Sequence, residues 1–235
     1  MAVEQVPKRF VFPKSARWVL PILGLVLVGL PAYLLTLVGY GMGPQTTAVG
    51  YQPAQPLPFS HDMHAGKLGL DCRYCHTTVD RAAFAAVPPT QTCWNCHNSV
   101  TGIKRDSVNL KPVADSHASG LPIEWIKVHD LADYVYFNHS RHVNSGVSCV
   151  ECHGRVDRMD VQAGSTRGVY QAKPLSMAWC LECHRNPDAH IRPQDEVFNL
   201  AWGQALSEQE KARIGRDIRT QKNINPSTDC WTCHR

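Results

Sequence analysis

No acidic or basic side chain occurs between Arg17 and His61, a gap too long for an ordinary solvated surface. The chain also lacks a Gly-rich phosphate loop and any pairing of nucleophile with base, which removes the usual nucleotide-dependent and hydrolytic chemistries. Beyond the N-terminus few apolar stripes persist at helical spacing, and the 16 prolines recur throughout. Little regular secondary structure and little aliphatic core are therefore expected. A βαβ pattern is absent, so no cysteine pair reads as a thioredoxin-like redox centre. Nor does any of the 10 cysteines stand alone.

What is present is one motif, five times over. Cys72, Cys75 and His76 form Cys-x-x-Cys-His, as do Cys93, Cys96 and His97, and Cys149, Cys152 and His153. Cys180, Cys183 and His184, then Cys230, Cys233 and His234, complete the set. This spacing is the attachment signal for c-type haem. Two sulfurs add across the haem vinyl groups, and the adjacent histidine binds iron from one face. Zinc sites and structural disulfides also use cysteine pairs. Neither explains a histidine after every second cysteine. Five covalently bound haem c groups are expected, filling much of the interior. Their propionates offset the formal charge of +4, so no nucleic-acid partner follows from it.

Lys8, Arg9, Lys14 and Arg17 precede an uncharged apolar run from Trp18 to about Met42. It exceeds the ~20 residues needed to cross a bilayer and the ~7–15 of a signal-peptide core. A retained anchor is expected, with residues 1–17 cytoplasmic by the positive-inside rule. Pro21 and Pro31 inside the span suggest packing against other membrane helices. Residues 43–58, with Pro44, Pro53, Pro56 and Pro58, read as a Pro-rich linker. Residues 59–235 are then a periplasmic pentahaem domain at the inner membrane.

Within that domain Phe59-Ser60-His61-Asp62-Met63-His64 precedes the first motif, and Phe137-Asn138-His139-Ser140-Arg141-His142 precedes the third. Val79-Asp80-Arg81 and Val156-Asp157-Arg158 follow them. Two di-haem units, about 59–110 and 125–190, plus a fifth haem in 191–235 are predicted. Seven histidines lie outside the motifs: His61, His64, His117, His129, His139, His142 and His190. They suffice to close every iron, giving low-spin centres that move electrons without binding substrate.

The Phe-x-His-x-x-His segments resemble those of class III (tetrahaem) and related trihaem cytochromes c. The resemblance implies that His61 closes the haem on His76 and His139 the haem on His153. His64 and His142 would each reach another haem, of identity left open. For the fifth distal ligand His129 is the first choice and Met177 the alternative. His117 and His190 sit in polar, turn-like surroundings that suit a surface or propionate contact. Arg81 and Arg158 read equally as propionate partners or solvated side chains. Trp94, Trp179 and Trp231 are expected to pack on porphyrin. Ser207 and Glu210 form a capping box for a helix reaching about Lys222, with a stop at Asn223 to Pro226.

With its single anchor and five motifs, and in the segments Trp125–His142 and Lys173–Pro187, the chain resembles the pentahaem cytochrome subunit of alternative complex III. That resemblance implies a non-enzymatic electron-transfer subunit within a quinol-oxidising respiratory complex. Its partners would be iron–sulfur and integral-membrane subunits and a monohaem cytochrome c. Electrons would pass from iron–sulfur centres towards a cytochrome c or terminal oxidase. Two alternatives remain: a self-contained membrane-anchored quinol dehydrogenase feeding a periplasmic reductase, and a multihaem reductase with one open haem.

Overall fold

The uncharged N-terminal run forms α1, Val19–Gly41, entered through a 3₁₀ turn at Lys14–Trp18. The structure, a computed structural model, describes residues 11–41, 48–98, 100, 107–161 and 167–234. Lys8, Arg9, Met42 and Pro44 lie outside the described residues. The 23 residues of α1 rise about 35 Å, enough for the ~30 Å hydrocarbon layer. All of them are exposed, and a helix apolar on every side fits a lipid-facing span. Pro21 falls in the first turn, where an N–H has no intrahelical acceptor. Pro31 is interior and removes the donor that the Leu27 carbonyl would have accepted.

The chain divides into two units, Met1–Thr46 and Thr47–Arg235. Among the described residues the second has no strand, only isolated bridges pairing Val135 with His234 and Val147 with Ile191. Its helices are short: α2 Cys72–Cys75, α3 Thr90–His97, α4 Lys111–Ser119, α5 His139–Asn144, α6 Cys149–His153 and α7 Met177–Arg185. α8, Glu208–Gln221, and α9, Cys230–Cys233, follow. A π-helical turn, Asp62–Lys67, carries His64.

The described part of the Pro-rich linker is stitched to the domain. Gly50 N–H donates to the Gln171 carbonyl at 2.8 Å and Gln171 N–H to Tyr51 at 3.0 Å. Gln55 exchanges two 2.9 Å bonds with the Ile126 backbone, and Leu57 is buried. Extended, proline-stiffened backbone leaves its polar groups free to pair with whatever lies alongside.

α8 follows its capping signal. Glu210 N–H donates to Ser207 Oγ at 3.2 Å, and Ser207 N–H to Glu210 Oε2 at 2.8 Å. The helix stops at Lys222, with Asn223 at φ +50°. Asp188 fixes its other face, accepting a hydrogen bond from Arg216 at 3.1 Å and forming an ion pair with Arg219 at 2.7 Å. The approach is so close that a Cβ on Gly215 would lie 1.7 Å from the Asp188 carbonyl oxygen.

The aliphatic core is thin. Buried apolar side chains among the described residues are Leu57, Val79, Val113, Val143, Met159, Ile191, Val197 and Leu200. At about 1.5–3 kcal/mol each, these cannot offset the ordering entropy of a domain this size.

Candidate haem sites

Each attachment motif lies on a helical turn: α2, the end of α3, α6, α7 and α9. The turn is what places residues i and i+3 on one face, so both sulfurs of a pair can meet one planar group. Polar caps fix where several turns begin. Asp71 accepts from the Arg73 N–H at 2.8 Å, and Ser176 from Trp179 N–H at 3.4 Å. No disulfide joins any of the 10 cysteines. Nor do three or more His, Cys, Asp or Glu side chains converge as a metal set among the described residues. Burial, with nearby acidic and thiol groups, pushes Cys152 up to about 12 and Cys183 up to about 11. Such pockets disfavour thiolates and suit uncharged thioethers.

The internal repeat is reproduced in three dimensions. Phe59 stands edge-on to His61 at 4.8 Å and stacks on His64 at 4.5 Å. Phe137 does the same to His139 at 4.8 Å and to His142 at 4.7 Å. One aromatic ring thus holds two imidazoles of each His-x-x-His turn in fixed, different orientations.

Those imidazoles face the motif histidines at a telling distance. A ring nitrogen binds a metal at about 2 Å, so two imidazoles on opposite sides of one iron have centroids about 6.3 Å apart. The His139 and His153 rings are 6.4 Å apart and nearly parallel, at 8°. His142 lies 6.2 Å from His184, and His64 lies 6.2 Å from His97. His61 has no ring contact of this kind, but its burial and the neighbouring His76 hold it down at about 4. Burial likewise takes His153 down to about 3, keeping its lone pair unprotonated.

Backbone carbonyls orient the rings. His64 Nδ1 donates to Ser60, His142 Nδ1 to Asn138 and His139 Nδ1 to Ala83, each at 2.8 Å. His76 Nδ1 reaches Ala86 at 2.9 Å and His184 Nδ1 reaches Ser227 at 2.6 Å. Occupying Nδ1 leaves Nε2 as the bare nitrogen, the usual preparation of a metal-binding histidine.

The fifth motif is built differently. Val135 bridges to His234, Tyr136 N–H donates to Cys233 at 2.8 Å, and Tyr134 lies 5.8 Å from the His234 ring. His129 instead packs edge-on at 4.3 Å against His153, and among the described residues no ring contact joins it to His234. Met177 heads α7 and is exposed, one turn before Cys180, whose thiol feels Cys233. His117 lies flat on Trp94 at 4.3 Å, tying α4 to α3.

His190, expected at the surface or on a propionate, keeps a partly exposed side chain and pairs with a carboxylate. His190 Nδ1 lies 2.8 Å from Glu151 Oε2, while the buried Arg192 donates to Glu151 Oε1 at 2.7 Å. Trp202 covers the guanidinium at 5.0 Å. Burial pushes the Glu151 carboxyl up, but His190 and Arg192 outweigh it and leave it below its ordinary value. The Glu151 bond in turn raises His190. Glu151 sits inside the third motif, and its charge weighs on Cys152 and Cys183. A half-buried acid next to an attachment cysteine was missed because x positions of the motif carry no pattern.

Imidazole spacing, Nδ1 occupancy, neutral sulfurs and the thin core all fit covalently attached haem, whose iron supplies reversible one-electron chemistry when bound. The helical second unit is a multihaem cytochrome c domain, an electron-transport module behind one apolar N-terminal helix that fits a membrane anchor. Residues 135–235 match the family model described as cytochrome c7 and related cytochrome c. Over 150 residues the chain is 29% identical to the menaquinone reductase multiheme cytochrome c subunit of Nitratidesulfovibrio vulgaris (strain Hildenborough), covering 57% of this chain and 70% of that protein.

Proposed function

We propose that this chain is a membrane-anchored pentahaem relay subunit of a quinone-linked respiratory complex of the alternative complex III type. The observation that carries the reading is the set of three imidazole pairs at 6.2–6.4 Å, since closed irons transfer electrons and bind no substrate. His64 would serve with His97, His139 with His153, His142 with His184, and His61 with His76. For the fifth site the surroundings favour Met177 over His129, because α7 lies beside the fifth motif while His129 is engaged with His153. The kinship to a menaquinone reductase subunit supports quinone-linked exchange through other subunits. Those partners would be iron–sulfur and integral-membrane chains and a monohaem cytochrome c, with the haem domain outside the inner membrane.

Gentle solubilisation, native separation and mass spectrometry of co-migrating chains test the assignment. Iron–sulfur and polytopic partners are expected. Isolation as a lone, quinol-active subunit would contradict it and favour the quinol dehydrogenase alternative.

A further inference from the structure

Sequence order and spatial order of the five motifs need not agree, and four sets of contacts fix the latter. The first repeat ties the first motif to the second. His61 and His64 leave one turn, held by the same Phe59 ring, yet His64 faces His97 of the second motif while His61 stands by His76 of the first. The second repeat does the same for the third and fourth motifs, with His139 on His153 and His142 on His184.

The two repeats meet through their first members. The side chains of Cys72 in the first motif and Cys149 in the third lie beside each other. The loop after the first motif receives α5: His139 N–H and Nδ1 both donate to the Ala83 carbonyl, at 3.0 and 2.8 Å, and Ser140 N–H donates to Ala82 at 3.2 Å. Asn144 Nδ2 reaches the Asp80 carbonyl at 2.9 Å, and Asp62 N–H reaches Met159 at 3.3 Å. Finally, His184 of the fourth motif donates through Nδ1 to Ser227, just ahead of Cys230, at 2.6 Å.

We infer that the attachment sites are strung in the order second, first, third, fourth, fifth. The repeats are joined head to head where α5 meets the loop Asp80–Ala83, so the second motif, although it is early in the chain, lies at one end and the C-terminal motif at the other. The inference rests on the motifs being haem sites and adds which sites adjoin.

An experimental structure of the haem-loaded, full-length protein tests it through the nearest-neighbour order of the irons. The iron on His76 is expected to neighbour those on His97 and His153, and the iron on His184 those on His153 and His234. An iron on His97 adjoining that on His153, as in simple chain order, would overturn the inference while leaving the pentahaem reading intact. Fewer than five covalent haems would instead sink the reading itself. In solution, the variant His142→Met tags the fourth site by raising its potential. In redox titrations, its reduction should displace the first site more than the second; an equal or larger displacement of the second contradicts the proposed order.

Discussion

At the residue scale, the imidazoles of the two His-x-x-His turns differ in what each removal should do. His142→Ala leaves both sulfurs of the fourth site in place, so haem stays attached while its iron loses a ligand. One high-spin centre should appear in the electron paramagnetic resonance spectrum, with haem stoichiometry unchanged. His142→Met should instead keep the centre low-spin and raise one midpoint by on the order of 100 mV, within the ~0.8 V that axial ligands span. Buried Arg192 is the other sensitive residue. Arg192→Ala leaves the Glu151 charge with only His190 beside it and should cost about 3 kcal/mol in denaturant unfolding of the loaded protein. His190 adds a pH signature. Its folded value is raised above 6.5, so its stabilisation is complete below that value and lost as pH rises through the raised one. His190→Gln should flatten that part of the stability–pH curve; an unchanged slope would show that His190 does not titrate on unfolding.

At the scale of elements, α8 acts as a clamp on the turn Asp188–His190, which holds His190 against Glu151. Gly215→Ala would drive a methyl group into the Asp188 carbonyl. The expected loss exceeds the about 1–3 kcal/mol of ordinary overpacking, read as a lowered melting temperature. Hydrogen exchange should quicken across α8 if the clamp opens, and a variant as stable as the parent would show that the helix shifts without cost. α8 was legible in the sequence because its capping box and stop are local signals. The role of the linker was not: Gly50, Tyr51 and Gln55 bond to Gln171 and Ile126, partners that only the tertiary path brings near. The long apolar helix was legible from composition alone, and α1, which fits a membrane anchor, runs over Val19–Gly41.

At the scale of the whole molecule, the five motifs and the twofold repeat were readable because cysteine, histidine and phenylalanine recur at fixed spacings. That His64 and His142 reach towards other sites was expected, but their nearness to His97 and His184 was not readable, since a contact between sites leaves no spacing in the chain. The carbonyls of Ala83, Ala86 and Ser227 that orient rings were equally hidden, because any residue supplies a carbonyl. The picture that results is a domain with few buried aliphatic side chains among the described residues, its repeats meeting where α5 bonds to Ala82 and Ala83. The most direct measurement is haem stoichiometry by intact-protein mass, taken together with the resting electron paramagnetic resonance spectrum of the full-length protein. Five covalent haems with at least four low-spin ferric centres are predicted. Fewer than five haems, or a spectrum dominated by high-spin iron, would contradict a relay of closed irons.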